Sequence, residues 1–167
     1  MISSQLPALQ VVLPLVAAPL CVLFHNRTFA WLLMVFVSLA SFGFSCALFN
    51  QVLAEDTITY AMGGWVAPWG IEYYIDKLTT YMLLIVNGVA GLVSRGARES
   101  VENEISSDRI YLVYTAFLLN LTGLLGVIIT GDAFNLFVFI EIASLSSYAI
   151  ISLGKDKRCL YAAFRYL

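Results

Sequence analysis

The sequence predicts an all-α fold, a polytopic bundle of transmembrane helices with five full spans and the start of a sixth. Three observations predict it. Hydrophobic residues make up 60% of the 167 positions and charged residues only 12%, against about 25% charged in an ordinary soluble domain. The mean hydropathy is +0.86. The charges that do occur gather into short segments between apolar runs long enough, at about 20 residues, to cross a bilayer. The net charge of −2 says nothing about nucleic acid, but no basic cluster is large enough to track phosphates, so no nucleic-acid partner is expected.

The first run is Pro7–Phe24, with Pro7, Pro14 and Pro19 inside it. No Lys or Arg precedes it, so it reads as a retained helix rather than a signal peptide. Its prolines predict kinks that neighbouring helices accommodate. His25-Asn26-Arg27 makes a turn, with His25, the single histidine, as a solvated cap at a helix end. The second run, Thr28–Leu53, exceeds one bilayer thickness and predicts tilt. Residues 54–75 carry Gly63-Gly64, Pro68 and Gly70 with Trp65 and Trp69. They read as an extramembrane loop whose tryptophans sit at the interfacial belt.

The third run is Asp76–Ser94, where Asn87, Gly88 and Gly91 predict close helix approach. Arg95–Arg109, rich in both signs of charge, reads as a solvated loop. The fourth span is Ile110–Ile129, with Asn120, Thr122, Gly123 and Gly126 inside. Thr130-Gly131-Asp132 separates it from the fifth, Ala133–Leu153, which Gly154 and the cations Lys155, Lys157 and Arg158 close. A sixth begins near Cys159. On this reading residues 1–109 form an N-terminal set of three helices, with the outer loop at 54–75, and 110–167 form an incomplete repeat. Cys21, Cys46 and Cys159 lack CxxC spacing and read as inert buried thiols.

Alternating the spans puts Arg27, Arg95, Arg98, Arg109, Lys155, Lys157 and Arg158 on one side and only Lys77 on the other. Positive charge favours the cytoplasmic side. The chain therefore reads as a multi-pass protein of the cell membrane, inner or plasma, with its N-terminus outside.

The stretch richest in chemistry is Gly131–Ser152, because Glu141 lies near its middle. An ionisable group at that depth is costly and marks a functional site by default. At 3.6 residues per turn, Phe134, Phe137, Val138, Glu141, Ser144, Leu145, Tyr148 and Ser152 share a face. That face is apolar before Glu141 and hydroxylated after it, through Ser144, Tyr148 and Ser152. A carboxylate with a hydroxyl stripe leading to one surface is what a proton relay needs. The alternative is a Glu that only glues helices, a task a hydroxyl or amide performs at lower desolvation cost.

Arg165, inside the sixth run, is the second ionisable residue at depth. It is a charge partner or gate for Glu141, or a snorkelling cation. Glu141 sits roughly 18 Å above the inner helix end and Arg165 roughly 9 Å above the start of its own helix. A cation nearby lowers a carboxyl pKa while desolvation raises it, and the opposition holds the group poised. The sequence has no phosphate-cradling glycine motif, thiolate cluster or His pair, so no cofactor and no metal are expected, nor any redox site.

Three segments carry a resemblance: GGWVAPWGIEYYID (Gly63–Asp76), TGDAFNLFVFIEIASLSSYAIISLG (Thr130–Gly154) and the closing CLYAAFRYL. They resemble the proton-translocating antiporter-like subunits shared by multisubunit sodium/proton antiporters, membrane-bound hydrogenases and respiratory complex I. The outer-loop pattern is most similar to the D-type subunit of the multisubunit antiporters. The resemblance implies that Glu141 is the essential membrane glutamate of the fifth helix. It places Arg165 where many members have a lysine, and because a guanidinium stays protonated, a gate fits Arg165 better than a proton carrier. It also implies partners: other membrane subunits, protons, sodium or another monovalent cation, and the bilayer. Members are built on two inverted repeats with a broken helix carrying a further lysine. This chain stops inside the sixth helix, so a fragment or one piece of a split subunit is expected. Three functions stay open: a subunit of a cation/proton antiporter; the proton-pumping membrane arm of a complex I-like NADH-quinone oxidoreductase or hydrogenase; or a truncated chain without transport. None places an active site for an enzyme in the chain itself.

Overall fold

In the computed structural model, residues 5–65 and 70–166 are described. Six helices and one small hairpin follow in order: α1 Leu6–Phe24, α2 Arg27–Glu55, β1 Ile58–Ala61, β2 Glu72–Ile75, α3 Lys77–Glu104, α4 Ile110–Ile129, α5 Ala133–Ser152 and α6 Lys157–Tyr166. Helices α1 to α5 are long and apolar enough to cross a membrane. The predicted all-α multi-pass bundle is borne out.

The helix starts follow local chemistry. Asn26 caps α2, its side chain accepting from the Thr28 backbone N–H at 3.0 Å. Asp76 caps α3 by accepting from Thr79 N–H at 2.7 Å, and that bond holds its carboxyl below the usual carboxylate range. Asp132 caps α5 by accepting from Asn135 N–H at 3.1 Å. Each satisfies backbone donors that a helix start leaves unpaired. His25 closes α1 in the left-handed conformation, φ 49°.

Two expected loops have regular structure. Residues 54–75 contain an antiparallel hairpin in which Thr59 pairs with Tyr74 and Tyr60 with Tyr73. The alternation that the turn residues masked is plain in β2, where Tyr73 and Ile75 are buried and Tyr74 is exposed. Gly63 and Gly64, at φ 69° and 79°, let the chain reverse. Trp65 is exposed, and the belt position expected for Trp69 lies outside the described residues. Nor is 95–109 a loop throughout, because α3 runs unbroken to Glu104. Arg98 and Glu102 pair at 3.2 Å one helical turn apart. The Arg98 guanidinium lies 5.1 Å over the Trp31 ring, and Trp31 Nε1 donates to Ser94 O at 3.1 Å. These contacts to α2 keep a strongly charged segment helical.

The hub is α4, which packs against α1, α2, α3 and α5. Leu118, Leu121, Leu125 and Ile129 on it are buried, each joining the cores that it shares with its neighbours. Helix α5 instead packs mainly on α4 and α6.

Bridges between connections sort them onto two faces. Tyr73 bridges Thr130, and Gly131 N–H donates to Glu72 O at 2.9 Å, so the hairpin meets the α4–α5 connection. On the opposite face Ile105 bridges Gly154, and the His25 and Tyr111 rings lie 4.9 Å apart. The connections carrying Arg27, Arg109, Lys155 and Arg158 thus share one face, as the charge count expects. Lys77 sits on the other face, 2.6 Å from Asp56. The ammonium holds the Asp56 carboxyl below its usual range, through an exposed pair of small energetic weight.

Candidate functional site

Two glycines of α4 position α5. A Cβ on Gly123 would fall 2.7 Å from the backbone nitrogen of Ala143 and 2.8 Å from the carbonyl oxygen of Phe139. A Cβ on Gly126 would run into the Phe139 ring. The two helices therefore touch backbone to backbone along Phe139 and Ala143 of α5. Small residues permit this approach between helices in lipid. Gly88 and Gly91 of α3, read from sequence in the same way, sit differently. A Cβ on either would stand 3.6 Å from Phe42 or Leu39, an ordinary van der Waals contact.

Seating Phe139 and Ala143 on α4 turns the opposite face of α5 outward. Phe134, Phe137 and Leu145 are exposed at 75%, 61% and 57%, and Glu141 is exposed among them. Val138, Ser144 and Tyr148 are half-buried. The expected face is thus one continuous surface, and nothing in the described residues covers Glu141. Both ends of α5 are tied down, at Thr130–Gly131 by β2 and at Gly154–Lys155 by the end of α3. There Lys155 N–H donates to Glu104 O at 3.2 Å and Lys155 Nζ to Asn103 O at 2.7 Å.

The predicted site residues come together only in part. Arg165 is exposed on α6 and makes no ion pair with Glu141 among the described residues. Helix α6 begins at Lys157, two residues before the expected start, which sets Arg165 about 12 Å along its axis. The Tyr148 ring meets Tyr166 edge-on at 5.5 Å, so α6 packs beside the hydroxyl stripe. Ser152 Oγ donates to Ala149 O at 2.8 Å, within its own helix.

Polar pairs that sequence reasoning passed over lie on the α4 side. Ser147 Oγ donates to Ala143 O at 2.9 Å and reaches Asn120 Oδ1 of α4 at 3.5 Å. Near the hairpin, Asn135 Nδ2 donates to Thr130 Oγ1 at 3.1 Å. Burial raises the Tyr73 phenol beside it to about 12. Polar residues inside apolar runs were the available signal; which face of the helix each occupies was not. Among the described residues no cluster of His, Cys, Asp and Glu could hold a metal ion.

No family model matches the chain. Individual proteins do. NADH-quinone oxidoreductase subunit N of Desulforudis audaxviator is 37% identical over 99% of this chain and 33% of its own length. The putative antiporter subunit mnhD2 of Staphylococcus haemolyticus is 31% identical over 99% and 33%. Among solved structures, a chain of the membrane-bound sulfane sulfur reductase, an archaeal respiratory membrane complex, superposes with a TM-score of 0.87 at 32% identity, over 97% of this chain and 33% of that one. A chain of the Mrp complex from Dietzia superposes at 0.84 and 20% identity, a likeness of fold, over 99% and 31%. The chain spans about a third of the length of these relatives. By sequence and by fold it is similar, over nearly its whole length, to about a third of the length of antiporter-like membrane subunits of multisubunit antiporters and respiratory complexes.

Proposed function

We propose that this chain is part of a proton-translocating subunit of a multisubunit monovalent cation/proton antiporter, with Glu141 taking up and releasing the proton. One observation carries the reading. A carboxylate lies near the middle of an apolar helix of 20 residues, on the face that α4 leaves open. Intramembrane carboxylates of this kind mark ion pathways and proton relays. Ser144 and Tyr148 lead from it toward the basic face, and Arg165 on α6 is the charge partner or gate. Further helices of the subunit cover the open face, and residues 110–167 form the first part of a repeat that they complete. The basic face is cytoplasmic, the hairpin and the N-terminus face outward, and the complex resides in the cell membrane.

The specific support for an antiporter is the likeness to the mnhD2 protein and to the D-type subunit of a Na(+)/H(+) antiporter from Alkalihalophilus pseudofirmus, 27% identical over 98% of this chain. A second reading has the higher identity behind it, 37% against 31% and 27%. In it the same helices belong to a redox-driven complex, as the likeness to an NADH-quinone oxidoreductase subunit suggests. The assembled complex in sealed vesicles separates them. A sodium gradient imposed without any electron donor is expected to move protons, followed with a pH-sensitive dye. Proton movement that requires a reductant and a quinone, and fails with sodium alone, replaces the antiporter with the redox-driven pump. Movement under neither condition leaves the non-transporting reading.

Orientation has its own test. In a background with Cys21, Cys46 and Cys159 replaced, Thr59→Cys on the exposed hairpin strand is expected to react with an impermeant thiol reagent from outside intact cells. Glu99→Cys, exposed on the charged end of α3, is expected to react only after permeabilisation. The opposite pattern inverts the topology.

A further inference from the structure

Far from Glu141, a polar knot lies where α1, α2 and α3 meet. Gln10, Ser41, Ser45 and Asn87 are contributed by three apolar helices, and all four are buried at 0% exposure. Gln10 Nε2 donates to Ser45 Oγ at 2.9 Å, and Asn87 Nδ2 donates to the same oxygen at 2.7 Å. Ser45 Oγ donates in turn to Ser41 O at 3.0 Å. That hydroxyl has accepted twice and donated once, so its capacity is spent.

The rest of the knot is unbalanced. Gln10 Oε1, Asn87 Oδ1 and Ser41 Oγ are buried and have no hydrogen-bond partner among the described residues. Turning an amide over does not repair this, because it exchanges an unpartnered acceptor for an unpartnered donor. The serines of α2 make the point sharper. Ser38 Oγ donates to Met34 O at 2.8 Å and Ser45 Oγ to Ser41 O, each bonding the carbonyl one turn back. Ser41 lacks that bond, so its proton is available to something else. Each unmet buried group is costly, and the surrounding hydrocarbon offers it no partner.

Two acceptors and one hydroxyl are the complement of a single water molecule. Its two O–H groups serve the amide oxygens, and a lone pair takes the Ser41 proton. Internal waters typically make about three hydrogen bonds to otherwise unsatisfied groups. A bare cation fits less well. The knot contributes no carboxylate to offset its charge, and the two amide NH₂ groups at Ser45 would oppose it. We propose that Gln10, Ser41 and Asn87 bind one internal water molecule, which completes the knot and holds α1, α2 and α3 in register.

The test uses the subunit in its assembled complex, in lipid nanodiscs, imaged by cryo-electron microscopy at a resolution that shows ordered water. Specimens are prepared in sodium chloride and in choline chloride. One density peak is expected in both, at hydrogen-bonding distance from Gln10 Oε1, Asn87 Oδ1 and Ser41 Oγ. A peak present only in sodium assigns a cation site and overturns the water. Absence of a peak in both overturns the site altogether. Ser41→Ala removes one of the three partners and is expected to abolish or strongly weaken the peak. Ser38→Ala, which removes a hydroxyl already satisfied within α2, is expected to leave it unchanged. A peak at full strength after Ser41→Ala refutes the three-partner geometry.

Discussion

Glu141→Gln is expected to reduce proton transport by the assembled complex to background while leaving assembly intact. Glutamine keeps the shape and the hydrogen-bonding capacity of the side chain and removes only its ability to ionise. Glu141 is exposed on α5 and makes no side-chain hydrogen bond to α4 among the described residues, whereas Phe139 and Ala143 meet the glycines of α4. Its substitution therefore leaves undisturbed the contacts of Phe139 and Ala143 that seat the helix. Glu141→Asp, shorter by one methylene, is expected to retain partial transport. Along the stripe the expectations grade by geometry. Ser144→Ala slows transport without stopping it, since water replaces a hydroxyl in a relay. Tyr148→Phe keeps the edge-on contact with Tyr166 and so reads the hydroxyl alone. Ser152→Ala has the least effect, because that hydroxyl already serves Ala149 O. The measurement is dye-monitored proton flux in vesicles, normalised to complex content. Normal flux from Glu141→Gln would reduce the carboxylate to helix glue and end the relay reading.

The largest structural effect is expected at Gly123. Adding one methyl there sets it against the backbone of Ala143 and Phe139 at 2.7–2.8 Å, and backbone cannot move aside as a side-chain tip can. Overpacking of this kind costs about 1–3 kcal/mol, occasionally more. Gly123→Ala should lower the thermal stability of the purified complex, and Gly123→Val should abolish its assembly. Gly88→Ala is the matched control, with 3.6 Å to its nearest neighbour, and should be tolerated. Thermal unfolding monitored by loss of monodisperse complex distinguishes them. Equal effects at the two positions would contradict the backbone contact between α4 and α5.

Hydropathy alone determined that this is a multi-pass helical membrane protein, because each span must satisfy its own backbone in lipid and must therefore be long, apolar and helical. The boundaries of α4 and α5 were legible to within a residue, bracketed as they are by Arg109, Asp132 and Gly154. Glu141 stood out for the same reason: a lone carboxylate in an apolar run is visible without any fold. The two-face partition of the basic connections was also readable, since alternation follows from the number of spans. Local composition misled where distant contacts decide. The charged end of α3 is helical through Arg98 and Trp31, which lie on different helices far apart in the chain, and β1 and β2 exist because they pair with each other. Only the tertiary structure decided that α4 rather than α5 is the hub, since both are apolar helices of 20 residues. It alone decided that the glycine pair of α4 lies in tight contact with α5, Gly123 against backbone and Gly126 against the Phe139 ring, while that of α3 does not meet its neighbours so closely. It alone gathered Gln10, Ser41, Ser45 and Asn87, scattered through three spans, into one buried knot. The physical reason is common to all three. Periodicity states which residues share a helix face, but which face meets which helix depends on packing between segments far apart in sequence.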